Sequence, residues 1–301
     1  METILRKIYN TYKDSVGDGH VADYIPALAK VNPNQYAISI CTVDGQTYNI
    51  GDFNTKFSIQ SISKVFTLAM LAPKMGKELW KHVGREPSGN QFNSLVQLEY
   101  ENGIPRNPFI NAGALVITDW LYKYDKDLRG SLLSFVRELS GDEDINYNNV
   151  VAESEYLTGE RNKALAHLMK SFGNFSSSVK EIIKIYCLQC SLEMSTLQLA
   201  KSFLFLANRG NLLNGKEIIG ARNVKRINAL MLTCGLYNES GDFAYRVGVP
   251  GKSGVGGGIV AVIPGKLSIA VWSPELNKNG NSYRGIATLE DFTTELGVSV
   301  F

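Results

Sequence analysis

Histidine is scarce: His20, His82 and His167 are the only three in 301 residues, and their scatter carries no metal-ligand or catalytic spacing. Cysteine is limited to four. Cys187 and Cys190 form one C-x-x-C on a stretch rich in Ile and Leu, where two small core-facing residues are expected, and no second pair completes a zinc site. A dominant charge is missing too, with 31 basic against 29 acidic side chains. No basic run is interleaved with aromatics, which excludes the usual footprints of nucleic-acid and anionic-membrane binding. No apolar run approaches a membrane span, and the first twenty residues mix charges without the apolar stretch of a secretory leader. A cytoplasmic protein acting on a small molecule, without metal, nucleic acid or membrane, is the expectation. Repeats, low-complexity runs and Pro- or Ser-rich linkers are absent, so residues 1–301 read as one domain.

What is present centres on 57–70, FSIQSISKVFTLAM. Ile62, Val65, Phe66, Ala69 and Met70 recur at helical spacing, which predicts a buried helix whose first turn carries Ser61 and Lys64 on one face. A serine hydroxyl needs a base to become a nucleophile, and a lysine serves once burial disfavours its charged form. Free N–H groups of the first turn favour the developing negative charge. S-x-x-K alone is weak, since it arises by chance about once in a chain this long. Indeed Ser177 and Lys180 match it as well, but there Ser178 stands three before Glu181 at a helix start and predicts a capping box. Lys252-Ser253-Gly254, set among glycines before a strong strand, separates the two matches. It fits the K-[ST]-G box that accompanies S-x-x-K in penicillin-binding proteins and serine β-lactamases.

Along the chain, residues 1–14 predict a helix, and 36–43 and 46–50 predict strands joined at Asp44-Gly45. Strand signals then nearly vanish from 61 to 245, where helices are expected at 112–123, 131–140, 179–190, 195–208 and 220–233. Polar loops are expected at 86–93, 103–108, 141–149 and 208–215, and the segment 146–162 also reads as loop. Strands return at 258–264 and 266–273, followed by a helix over 283–296. The order implies an α+β fold: one antiparallel sheet assembled from both chain ends and flanked by helices (about 1–60 and 246–301), plus an all-helical part (about 61–245). This arrangement resembles the serine β-lactamase and transpeptidase fold, in which the S-x-x-K helix lies between sheet and helical part.

A narrower resemblance runs from near residue 20 to near 285. VADYIPALAK (21–30), CTVDGQ (41–46), QSISK (60–64), REPSGNQFN (85–93), NPFINAGAL (107–115), SEYLTGERN (154–162), YCLQCSLE (186–193), CGLYNESGDFAYRVGVPGKSGVGGGI (234–259) and WSPELNKNGNS (272–282) closely resemble the glutaminases, which hydrolyse L-glutamine to L-glutamate and ammonia. The resemblance implies Ser61 as acylated nucleophile and Lys64 as its base partner. It implies substrate contacts at Tyr24, Ser61, Asn111, Glu155, Asn162, Tyr186, Tyr237 and Val255; by their chemistry the hydroxyls of Tyr186 and Tyr237 would also relay the proton between Ser61, Lys64 and the leaving ammonia. A carboxylate such as Glu155 is a natural partner for the substrate ammonium, because an unpaired buried charge is costly. The N–H groups of Val255 and Ser61 would form an oxyanion hole. Lys252 would orient its strand or supply positive potential. No cofactor is implied, and a homotetramer is. Two alternatives stand beside this reading: another serine amidohydrolase of the β-lactamase or carboxypeptidase type, and a non-catalytic amino-acid-binding protein.

Overall fold

The computed structural model describes residues 1–89 and 94–301, so the last four positions of the 85–93 block lie outside the described residues. The first half of the chain runs α1 (Glu2–Tyr12), β1 (Ala37–Thr42), β2 (Thr47–Gly51), β3 (Phe57–Ser58), a 3₁₀ turn (Gln60–Ser63), α2 (Lys64–Met75), α3 (Leu95–Tyr100), α4 (Asn111–Tyr124), α5 (Leu128–Ser140), β4 (Asn146–Tyr147) and α6 (Asn149–Thr158). It continues with α7 (Glu160–Ser171), α8 (Val179–Cys190), β5 (Leu192–Met194), α9 (Thr196–Ala207), α10 (Ala221–Cys234), α11 (Ser240–Arg246), β6 (Gly251–Ser253), β7 (Gly258–Ile263), β8 (Leu267–Trp272) and α12 (Tyr283–Leu296).

The main sheet has the order β2-β1-β8-β7-β6, with every neighbouring pair antiparallel. Its hairpin turns where Asp44-Gly45 predicts, with Gly45 at φ 89°. The central pairing joins the two ends of the chain, from Ala37 opposite Trp272 to Thr42 opposite Leu267. Side chains alternate along each strand, so two faces need covers. Ile38, Ile40, Ile259, Ile269 and Val271 pack against Leu5 and Ile8 of α1 and Ile286, Leu289 and Phe292 of α12. Ala37, Cys41, Val260, Val262, Ala270 and Trp272 point the other way, into a core shared with Val65 and Phe66 of α2 and Leu199 and Phe203 of α9. Burial on both faces explains why GIVAVI and LSIAVW are apolar at nearly every position rather than alternating, Ser268 being the one polar residue, its hydroxyl donating to the Ala200 carbonyl. Each large aliphatic side chain buried there contributes about 1.5–3 kcal/mol.

All five expected interior helices are present, α5 beginning three residues before its predicted start. Four helices, α3, α11, α6 and α7, have no counterpart among the sequence expectations. The last two occupy most of the segment that reads as loop over 146–162, because Asn148 caps α6 through a bond from Val151 N (3.0 Å) and Gly159 separates the two helices. The short strands β3, β4 and β5 are likewise additions, since two or three residues carry no readable period. Ser178 and Glu181 do not form the predicted capping box: Glu181 instead accepts from the Tyr122 hydroxyl. Asp119 of α4 takes over at that end, accepting from the N–H of Ser176 (3.1 Å) and Ser177 (2.9 Å). A true capping box forms at α9 between Ser195 and Gln198.

Candidate active site

Ser61 lies in the 3₁₀ turn rather than in the α-helix, which begins at Lys64. In a 3₁₀ turn residues three apart eclipse, so the spacing still sets both side chains on one side. Gln60, just before the serine, has φ 50°, a left-handed conformation that costs a non-glycine residue of order 1–3 kcal/mol. Only four described non-glycine residues have positive φ, and two of them, Gln60 and Tyr237, line the same cavity. Backbone strain is thus concentrated beside the serine.

Lys64 is 1% exposed, and its Nζ donates to the Phe109 carbonyl (3.1 Å) and to Asn111 Oδ1 (2.7 Å). Burial lowers its pKa to about 8, against the opposing pull of the nearby Cys190 and Glu155. The loop that receives it is built by NPFINAG. Asn107 Oδ1 accepts from the N–H of Phe109 (3.0 Å) and Ile110 (3.1 Å), an Asx turn that aims the Phe109 carbonyl at the lysine. Gly113 allows the close approach of α4 to that turn, since a Cβ there would lie 2.0 Å from the Asn107 carbonyl oxygen. Asn111, first residue of α4, is a hub: its Oδ1 also accepts from the Tyr186 hydroxyl (3.2 Å), and its Nδ2 donates to Asn162 Oδ1 (3.0 Å).

A cavity of about 350 Å³ opens in front of this network, lined by Tyr24, Ile25, Gln60, Ser61, Asn111, Glu155, Thr158, Gly159, Arg161, Asn162, Tyr186, Tyr237 and Val255. Every site residue expected from the sequence is on this wall except Lys64, which sits behind it. Tyr24 is 54% exposed and marks the mouth. Tyr237 engages the side chains of Ser61 and Ser253; these bonds oppose the burial that pushes its phenol well above the usual range. Burial likewise raises Tyr186. Glu155 is buried in α6, which lifts its pKa to about 7, with Lys64, Gln60 and Cys190 pulling the other way. One of its oxygens, Oε2, has no hydrogen-bond partner among the described residues. A buried carboxylate that is half satisfied suits a cation.

The K-S-G segment forms edge strand β6, and the loop after it presses on the nucleophile turn. A Cβ on Gly254 would lie 2.3 Å from the Ile59 carbonyl oxygen and 3.3 Å from Ser61 N, and one on Gly256 would lie 2.1 Å from Ser58 O. Those glycines bring the Val255 backbone beside Ser61. Lys252 is fully buried, donates to the Ser253 carbonyl (2.6 Å) and lies 4.7 Å from the Tyr237 ring centre. Burial, and then repulsion from Lys64, push its pKa well below the lysine value. Sequence reasoning passes over Gln60, Asn107, Arg161 and Cys190. Their only signal is adjacency to named residues inside the same blocks.

The sheet closed by both chain ends, the helical part beside it and the Ser-x-x-Lys turn on their seam constitute a β-lactamase-like fold, that of a class of serine hydrolases. Within it the chain is more narrowly placed. It belongs to the glutaminase family, whose model matches residues 19–301. A glutaminase of Agrobacterium fabrum is 55% identical over 100% of this chain and 98% of its own. Another from a Marinomonas species is 52% identical over 100% of both. Among solved structures, the probable glutaminase ybaS superposes with a TM-score of 0.95 at 39% identity, covering 100% of this chain and 97% of its own. A probable glutaminase from Bacillus subtilis, complexed with 6-diazo-5-oxo-L-norleucine, superposes at 0.90 with 34% identity, covering the same shares of the two chains. Among the described residues, no helix is long and apolar enough to cross a membrane.

Proposed function

We propose that the protein hydrolyses L-glutamine to L-glutamate and ammonia through an acyl-enzyme on Ser61. One observation supports this most: a serine, a half-satisfied buried carboxylate, the buried Tyr186 and the half-buried Tyr237 line one cavity, and a buried lysine with lowered pKa sits directly behind it. In this reading the substrate ammonium pairs with Glu155, and Tyr24, Asn111 and Asn162 bind the remaining polar ends. Ser61 Oγ attacks the side-chain carboxamide carbon while its proton passes by way of Tyr237 to the Lys64–Tyr186 group. The N–H groups of Ser61 and Val255 hold the tetrahedral oxyanion. The C–N bond then breaks, the proton returns to the leaving nitrogen, and ammonia departs. Water adds to the ester with the same groups acting in reverse, releasing glutamate and restoring Ser61.

The complex of the Bacillus subtilis relative supports a small amino-acid-like substrate. Kinship with the family further supports a cytoplasmic homotetramer, and the β1–β8 pairing supports residues 1–301 as one cooperative unit. Ammonia release from L-glutamine by the purified protein, with Ser61→Ala as control, tests the central reading. Turnover of glutamine unaffected by Ser61→Ala would overturn the acyl-enzyme. Light scattering and a single unfolding transition test the assembly and the unit.

A further inference from the structure

Tyr237 is a bulky aromatic at φ 52°, a conformation it does not choose locally, so its surroundings must impose it. The residues on either side of it are gripped. Upstream, Gly235 is pressed against β6, where a Cβ would lie 1.8 Å from the Gly251 carbonyl oxygen, and Leu236 N donates to Ser240 Oγ (3.0 Å). Downstream, the Glu239 carboxylate receives three bonds from two amides: Asn277 Nδ2 to Oε1 (3.0 Å) and Oε2 (2.9 Å), and Asn281 Nδ2 to Oε2 (2.6 Å). The Asn281 amide also reaches the Leu236 carbonyl (3.3 Å), so one side chain holds both flanks of the tyrosine. Asn277 Oδ1 accepts from the N–H of Asn279 (2.9 Å) and Asn281 (3.2 Å), which folds the loop that presents these amides. The same loop meets the oxyanion side of the cavity, since a Cβ on Gly280 would lie 3.8 Å from Val255 Cγ1.

We infer that Glu239, clamped by Asn277 and Asn281, is a positioning residue that holds the Tyr237 hydroxyl at Ser61. The inference rests on the proton-relay role proposed for Tyr237. Both carboxylate oxygens accept; an amide at 239 that keeps its oxygen in the Oε2 place, where Asn281 donates, would oppose its NH₂ to the Asn277 Nδ2 donor. The tyrosine turn would then relax out of its left-handed conformation and take its hydroxyl with it.

The test is steady-state kinetics on L-glutamine with the wild type, Glu239→Gln, Glu239→Gln/Asn277→Asp, Tyr237→Phe and Tyr237→Phe/Glu239→Gln, each verified as folded by thermal melting. Glu239→Gln should lower kcat about 10–100-fold, the scale of a displacement of about 1 Å at a reacting group, with KM moving less than about threefold. Adding Asn277→Asp should recover most of the loss, because the new amide at 239 then donates to the introduced carboxylate, which still accepts from the N–H groups of residues 279 and 281. In the Tyr237→Phe background, Glu239→Gln should cost less than about twofold more, since the hydroxyl it positions is already gone. Equal losses in both backgrounds, or an unchanged kcat in Glu239→Gln, would overturn the inference. Where Glu239→Gln does not fold, Asn277→Ala, which deletes two of the three clamp bonds, enters the same cycle. A wild type that releases no ammonia would instead sink the underlying function, so the two failures are distinct.

Discussion

Two stretches of this chain share the spacing Ser-x-x-Lys, and the fold treats them oppositely. At 177–180 the lysine is exposed and the backbone of Ser177 is tied to the buried Asp119, so the pattern finishes a helix end. At 61–64 the serine stands in a strained 3₁₀ turn, the lysine is sealed behind a cavity, and its hydrogen bonds go to a carbonyl and an amide oxygen. The spacing is common to both. What differs is dehydration of the lysine and the glycines that let a neighbouring loop close on the serine. Chemistry follows from that enclosure rather than from the four-residue pattern.

The sharpest way to break the comparison is to delete each pair in turn. Ser61→Ala or Lys64→Ala should cost about 10⁴–10⁶ in kcat, as removal of members of a nucleophile-base unit does. Ser177→Ala and Lys180→Ala should leave kcat unchanged; equal effects at both sites would show that enclosure does not matter. Next in size, Glu155→Gln removes the countercharge but keeps the shape, and should lose about 2–4 kcal/mol of transition-state binding. N-acetylglutamine should be penalised much more by the wild type than by Glu155→Gln. Additive losses would mean that Glu155 does not read the ammonium.

The pH profile is a finer probe. Lys64, lowered to about 8, works as the neutral base, and Glu155, raised to about 7, works as the anion. Both productive enzyme forms are deprotonated, so kcat/KM rises with pH, with slope two below about 7 and slope one between about 7 and about 8, then levels and falls once the substrate ammonium that Glu155 reads loses its proton. The apparent values belong to the coupled group. Glu155→Gln should reduce the acid slope to one; a wild-type profile flat across this window would remove neutral lysine as base. The smallest effect is expected at the other pair. Asp119→Asn should lower stability by about 1–3 kcal/mol in denaturant titration while leaving kcat within about twofold.

Legibility in the sequence tracks how local the cause is. The Asp44-Gly45 hairpin, the apolar strands β7 and β8 and the stripes of α8 to α10 are written in short-range pattern, and the sheet of both ends follows from their order. Ser61 and Lys64 stand out because two boxes support each other. The helices α6 and α7 do not, since VVAESEYLT and ERNKALAH lack a clean apolar stripe and gain their packing from α8 and α4. Local pattern also misleads at Ser178, where Tyr122, far away in sequence, takes Glu181 from the cap. Nothing at Gln60 announces a left-handed backbone, and nothing at Asn107 announces that its turn aims a carbonyl at Lys64. Those facts arise only when distant segments meet.

The pairing of β1 with β8 has a consequence for how the molecule is made. On the ribosome β1 emerges with its partner more than two hundred residues behind it. At about 5–20 residues per second the β1–β2 ribbon waits roughly 10–45 s with an apolar edge unpaired. The helices α2 to α11 are synthesised before the sheet that backs them can exist. Nascent chains arrested before residue 267 should therefore remain protease-sensitive at 37–51 and engage holdase chaperones, and release of the last strands should end both.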